Sequence, residues 1–239
     1  MKNFTEKLIL ALDVSSSQEA LKRVDQCLSL VKTFKVGSQL FTEEGPQVVR
    51  EIQNQGGKVF LDLKFHDIPN TVVRAVEAAT ELGVFMLNLH ILGGIKMMSM
   101  AKKEVEKASG KKVRPLIVGV TLLTSLENED LKDLNISGDT KELVLRYAGH
   151  AKKAGLDGVV CSVHEVSEIK KKIGKDFMTV TPGIRFSNER SLEDDQKRFS
   201  GIEEALQVET DFMVLGRSLF QHPKPLELLR QTIETYSHA

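Results

Sequence analysis

KVFLDLKF, residues 58 to 65, is followed after a short turn by PNTVVRAVEAATELG, residues 69 to 83. The first run has strand length and is apolar almost throughout. The second has helical spacing and ends on Gly83, where a helix should stop. The next run, FMLNLHI (85 to 91), is again short and apolar, so the pattern is strand, helix, strand. Outward from this unit the same alternation recurs, giving eight apolar runs in all: LILALDV (8 to 14), FKVGS (34 to 38), KVFLDLKF, FMLNLHI, RPLIVGVTLL (114 to 123), DGVVCS (157 to 162), MTVTPGI (178 to 184) and DFMVLGRS (211 to 218). Helical segments lie between them, including SSSQEALKRVDQCLSL after Asp13 and TKELVLRYAGHAKKAG before the sixth run, and Gly56 and Gly155 mark further helix ends. Strands that are apolar on both faces and separated by helices imply a covered parallel sheet, and eight such units are the number that closes a barrel. The expected fold is α/β, a single (β/α)8 TIM barrel spanning residues 1–239 as one domain, with an open doubly wound sheet as the structural alternative. A barrel of this kind needs roughly 250 residues, which the length permits.

With 33 Lys and Arg against 33 Asp and Glu, and a pI near 7.0, the chain has no bulk electrostatic attraction to nucleic acid or an anionic membrane. No apolar stretch reaches the roughly 18 residues of a membrane span, and the first residues carry no export signal. Cys27 and Cys161 lack metal-ligand spacing and fit two free thiols in a reducing cytoplasm. No repeat or linker divides the chain.

Charges inside apolar strands are the informative residues. Asp62 and Lys64 are two apart, so plain strand alternation puts them on one face while Leu61, Leu63 and Phe65 pack beneath the helices. Asp67 follows just past the strand end, Asp13 closes the first strand and Lys35 lies in the second. If all five converge at the mouth of the barrel, they form alternating anions and cations, each paired as burial requires. Such a cluster is either catalytic or a structural salt-bridge network that fixes strand register. On the other side of the mouth, Gly216 and Arg217 open the loop after the last strand, where a glycine admits backbone approach and an arginine offers a forked donor to a phosphate. Arg185, in TPGIR, lies at the adjacent strand end, and the polar segment FSNERSLEDDQKRFSG (186 to 201) carries Gln196, a neutral donor that loop closure can bring in. His66 and His90 read as core or supporting groups and KMMSMAKK (96 to 103) as helix packing.

Taken in order, Asp13, Lys35, the run Asp62-x-Lys64-x-x-Asp67 within DLKFHDIPNT, Thr124 in LLTS, PGIR and GRS, the chain resembles bacterial orotidine 5′-monophosphate decarboxylases from end to end. The resemblance implies decarboxylation of orotidine 5′-monophosphate to UMP and CO2 in pyrimidine biosynthesis. It makes Lys64 the proton donor to carbon 6, flanked by Asp62 and Asp67. Lys35 and Asp13 would hold the ribose, Thr124 the pyrimidine, and Arg185, Gln196, Gly216 and Arg217 the phosphate. It further implies a cytoplasmic homodimer in which Asp67 and Thr71 reach the neighbour's site, with no cofactor and no metal. Two departures stand out: Ser200-Gly201 where many relatives have Thr-Pro, and Ser218 where many have Pro.

Three rivals share parts of this pattern. Related barrels acting on sugar phosphates, such as 3-keto-L-gulonate 6-phosphate decarboxylase, carry the same Asp-x-Lys-x-x-Asp run but need Mg2+; LLTS and PGIR argue against that reading. A Schiff-base aldolase requires a neutral lysine, whereas flanking carboxylates keep Lys64 charged. A phosphate-binding barrel without catalysis is the third.

Overall fold

The structure, a computed structural model, describes residues 3–186 and 200–237. Each of the eight apolar runs contains a strand: β1 (Leu8–Ala11), β2 (Thr33–Gly37), β3 (Lys58–Phe65), β4 (Met86–His90), β5 (Leu116–Val120), β6 (Gly158–Val160), β7 (Met178–Arg185) and, after the two-residue β8 (Ser200–Gly201), β9 (Phe212–Leu215). All pairings are parallel, and the order runs from β6 down to β1, then to β9 and β7. Pairing of β6 with β7 closes the ring, so eight strands form a barrel with no open edge and the open-sheet alternative is excluded. The extra strand β8 lies along Ile184 and Arg185 at the end of β7, where the sequence pattern suggested only loop.

Helices follow the strands: α1 (Ser17–Cys27), α2 (Ser38–Glu44), α3 (Gln47–Asn54), α4 (Pro69–Glu81), α5 (Gly94–Ser109), α6 (Asn128–Asp133), α7 (Thr140–Lys153), α8 (Val163–Lys172), α9 (Ile202–Gln207), α10 (Arg217–Phe220) and α11 (Pro225–Tyr236). Local chemistry sets their ends. Ser16 and Asp139 accept the amides of Glu19 and Glu142 to start α1 and α7, and Pro69 opens α4 with a ring that needs no N–H partner. The chain leaves α3, α4 and α7 through Gly56, Gly83 and Gly155, at φ +92°, +77° and +84°. Met97 and Met98 are fully buried on α5, as the helix-packing reading of that cluster expects. None of the helices among the described residues is long and apolar enough to cross a membrane.

Alternation along the strands sorts the core into two layers. Leu8, Leu10, Phe34, Val36, Leu61, Leu87, Leu89 and Ile117 face outward into the main core, which the helices share. Ile9, Ala11, Phe60, Met86, Val118, Val180, Phe212 and Val214 face inward and fill the barrel as a separate apolar cluster. Burying one such side chain stabilises the fold by roughly 1.5–3 kcal/mol.

The foot of the barrel carries its own polar device, used twice. Asp157, immediately before β6, accepts the amide of Ile117 on β5 at 2.9 Å, a forked pair from Arg114 at 2.8 Å each, and Lys102 Nζ at 3.1 Å. Asp211, immediately before β9, accepts the amide of Thr179 on β7 at 2.8 Å and Lys170 Nζ at 2.6 Å. Burial would raise the Asp157 pKa, but the hydrogen bonds from Arg114 and Ile117 and the nearby Lys102 hold it below the usual carboxylate value. Each aspartate therefore ties the residue that leads into its own strand to the neighbouring strand.

Candidate active site

Followed toward their C-terminal ends, the inward positions change from apolar to charged. Along β1 and just past its end the series is Ile9, Ala11 and then Asp13; on β3 it is Phe60, Asp62 and Lys64; on β4 it is Met86, Asn88 and His90. Four charges meet, Lys35 of β2 joining Asp13, Asp62 and Lys64. Lys35 Nζ lies 3.1 Å from Asp13 Oδ1 and 3.3 Å from Asp62 Oδ2, and Lys64 Nζ lies 2.7 Å from Asp62 Oδ1. The order is thus minus, plus, minus, plus. Burial would lower the Lys35 pKa, yet Asp62 and Asp13 outweigh it and hold the ammonium above the usual lysine value. For Asp62 burial acts to raise the pKa, and Lys35, Lys64 and the hydrogen bonds from Lys64 and Asn88 reverse it, so the carboxylate is held below its usual value. Gly37 makes room for this array, because a Cβ there would stand 3.1 Å from Lys35 Nζ.

Lys64 does not reach the array by plain alternation. Its φ is +50°, and the pairing of β3 with β4 shifts register between Leu61 and Phe65. A non-glycine residue in the left-handed region is strained, and a bulge of this kind redirects a side chain. Asn88, fully buried on β4, holds the distortion: its Oδ1 accepts the Lys64 amide at 2.8 Å while its Nδ2 donates to Asp62 Oδ1 at 2.6 Å. The sequence reading passed over Asn88, although an amide in the middle of FMLNLHI breaks an apolar strand just as Asp62 does.

The array opens into a cavity of about 960 Å3 at the mouth of the barrel. Asp13, Lys35, Asp62, Lys64, Thr124, Arg185, Gly216 and Arg217 all line it, with Val120, Val160, Val180 and Val214 beneath. Arg185 is buried and Arg217 exposed, and Gly216 leads directly into the short helix α10. One cavity thus brings together a charged array and a Gly-Arg strand end. The chain from residue 6 to residue 232 matches the model of the orotidine 5′-phosphate decarboxylase / HUMPS family. The chain belongs to this family.

Relatives named orotidine 5′-phosphate decarboxylase include a Syntrophus aciditrophicus protein, 50% identical over 221 residues, covering 91% of this chain and 88% of that protein. A Legionella pneumophila (strain Paris) protein of the same name is 48% identical over 225 residues, 94% of this chain and 96% of its own length. Among solved structures, the orotidine 5′-phosphate decarboxylase from Lactobacillus acidophilus superposes with a TM-score of 0.85 at 32% identity, over 98% of this chain and all of that one.

In this decarboxylase-family chain, Asp67 and Thr71 stand apart from the four-membered array. Both are exposed, neither lines the cavity, and Asp67 Oδ1 accepts the next residue's amide, Ile68 N–H, at 2.6 Å. Convergence of all five charges therefore does not occur within the described chain, because Asp67 lies beyond the end of β3 where the backbone turns into α4. Gln196 lies outside the described residues. His66 and His90 stack with ring centroids 5.3 Å apart, and burial, with His66 and Lys64 nearby, holds the His90 imidazole below the usual histidine pKa. Among the described residues no group of His, Cys, Asp and Glu side chains has the arrangement of a metal site. Of the two departures from the family pattern, Ser218 has a clear use: its hydroxyl donates to the Ile184 carbonyl at 3.2 Å and ties α10 to β7.

Proposed function

We propose that this enzyme, one barrel domain across residues 1–239, decarboxylates orotidine 5′-monophosphate to UMP and CO2 without a cofactor. The observation that carries the reading is the Asp13–Lys35–Asp62–Lys64 array beside the Gly216–Arg217 strand end in one cavity. Loss of CO2 from carbon 6 leaves an electron pair in the plane of the pyrimidine, orthogonal to its π system. Ring resonance does not spread that charge, so it needs a cation placed beside it. Lys64, an ammonium whose side chain is 37% exposed toward the cavity, supplies the counter-charge and then the proton. Asp62, fixed by two lysines and an amide, orients Lys64. Lys35 and Asp13 hold the ribose hydroxyls and Thr124 the pyrimidine.

Arg185, Gln196, Gly216 and Arg217 bind the phosphate. The phosphate takes no part in bond breaking, so its binding energy is available to assemble the charged site around the reacting carbon. The enzyme acts as a cytoplasmic homodimer with its sites at the subunit interface. Asp67 and Thr71 are exposed and outside their own cavity, and Ile68 and Leu92 expose apolar side chains at the same rim, which fits a second subunit seated there. Two buried free cysteines suit a reducing compartment.

The test is the fall in orotidine 5′-monophosphate absorbance on adding enzyme freed of metal by EDTA. Turnover that survives EDTA supports the reading. Dependence on added Mg2+ assigns the site to enediolate chemistry instead, and UMP binding without turnover assigns it to a non-catalytic barrel.

A further inference from the structure

Asn88 is an uncharged polar side chain built into the charged array, and its two ends do different work. The backbone N–H of Lys64 only donates and the ionised carboxylate of Asp62 only accepts, so the amide has a single workable orientation: Oδ1 toward Lys64 N, 2.8 Å away, and Nδ2 toward Asp62 Oδ1, 2.6 Å away. Among side chains of this length that are ordinarily neutral at pH 7, the amide alone accepts and donates at once in a fixed plane. An alanine would strand a backbone donor and remove one of the groups that fix the Asp62 carboxylate.

The Lys64 backbone is the strained element of the site. Its φ of +50° persists only if something outside the residue holds it, since a lysine gains nothing from the left-handed region. The hydrogen bond from Lys64 N–H to Asn88 is the tertiary contact made by that backbone amide, and it comes from the neighbouring strand at a position with no exposure to solvent. The same amide fixes the rotation of Asp62, which in turn receives Lys64 Nζ at 2.7 Å. Both the root and the tip of the Lys64 side chain are thus referred to one buried group.

We propose that Asn88 is a positioning residue for the decarboxylation, holding the Lys64 backbone in its left-handed turn and Asp62 in the rotation that aims the Lys64 ammonium at the cavity. This rests on the decarboxylase reading above. Asn88 does not line the cavity, so it acts through Lys64 and Asp62 and not on the substrate.

Two variants test it against wild type, with UMP as the binding probe. In Asn88→Ala, kcat falls about 10²-fold, the size of loss that follows a misplacement near 1 Å, while the UMP Kd stays within about threefold because the phosphate grip is untouched. Asn88→Asp adds a chemical signature. Its protonated carboxyl donates to Asp62 and accepts from Lys64 N–H as the amide does, whereas its ionised form sets two carboxylates against each other. The ratio of Asn88→Asp to wild-type kcat therefore rises as pH is lowered from about 8 toward about 5, by roughly tenfold. A merely structural role gives a ratio independent of pH.

A kcat within about threefold of wild type in Asn88→Ala, or a flat ratio in Asn88→Asp, overturns the proposal. So does parallel loss of kcat and UMP binding. If Asn88→Ala does not fold, the pH ratio of Asn88→Asp decides alone. An inactive wild type overturns the decarboxylase reading and this inference with it, whereas an active wild type with unaffected variants overturns only the role of Asn88.

Discussion

Replacing Asp62 with asparagine removes one negative charge and almost no volume from the centre of the array. Lys64 Nζ at 2.7 Å and Lys35 Nζ at 3.3 Å lose their shared counter-ion, and Lys35 keeps only Asp13, whose side chain is 49% exposed. At an effective dielectric of about 20, unit charges at these separations attract by roughly 6 and 5 kcal/mol before desolvation is subtracted. Breaking one partner out of a buried pair leaves a net loss of about 3–5 kcal/mol. Lys64 is 37% exposed and regains water, while Lys35 is only 13% exposed, so the lower end applies, about 3 kcal/mol. Urea unfolding at neutral pH and one protein concentration measures it, with Lys35→Met and the double variant completing a cycle.

A loss below about 1 kcal/mol would put these contacts in the class of exposed ion pairs and refute the argument that they form a packed hub. The pH dependence has a fixed sign. The folded Asp62 pKa is depressed, so its contribution is fully present above the unfolded carboxylate value, about 3.9, and is lost as pH falls toward the lower folded value. The stability gap between wild type and Asp62→Asn therefore closes in acid, below about pH 4.

Other outcomes follow from the same geometry. Lys64→Ala is expected to retain less than about a hundredth of wild-type turnover while still binding UMP, read by single-turnover assay and calorimetry. Lys64→Gly should be more resistant to urea than Lys64→Ala by about 0.5–1 kcal/mol, because glycine adopts φ +50° without strain; an alanine variant of equal or greater stability would argue against the left-handed backbone. Arg217→Ala should lower kcat/KM chiefly through KM and recover in part with added guanidinium, and an unchanged kcat/KM would move the phosphate site elsewhere. Mixed Lys64→Ala and Asp67→Ala homodimers should regain roughly a quarter of wild-type activity on random subunit exchange, since one site of each heterodimer is then intact. Heterodimers seen by native mass spectrometry without activity would assign Asp67 to its own chain's site.

The barrel was legible because buried parallel strands are written as continuous apolar runs, and glycines such as Gly83 mark where helices end. The array was legible for a related reason: apart from the exposed Lys58 at the start of β3, Lys35, Asp62 and Lys64 are the charges in β2 and β3. Its internal support was not. The left-handed turn at Lys64 is held by the hydrogen bond its N–H donates to a residue 24 positions away, and nothing in the local sequence prefers it. Asn88 reads as an ordinary neutral side chain until β4 brings it beside β3. Asp157 and Asp211 look like turn residues at the head of a strand, and only the closed ring shows that each receives its neighbour's amide. Asp67 shows the limit in the other direction, since its place in DLKFHDIPNT groups it with charges that its position beyond β3 keeps at a distance.

The aspartates at the foot have a bearing on how such a molecule diversifies. Asp157 and Asp211 set the register of β5 with β6 and of β7 with β9 at the end opposite the cavity, using partners such as Arg114, Lys102 and Lys170 that take no part in the mouth. Alignment of these strands is thus anchored away from the loops that follow them. Insertions, deletions and side-chain exchanges around the rim can accumulate without slipping a strand, because a one-residue slip would have to break these anchors first. The two ends are separate mutational territories, and a lineage can trade one rim chemistry for another on an unchanged base.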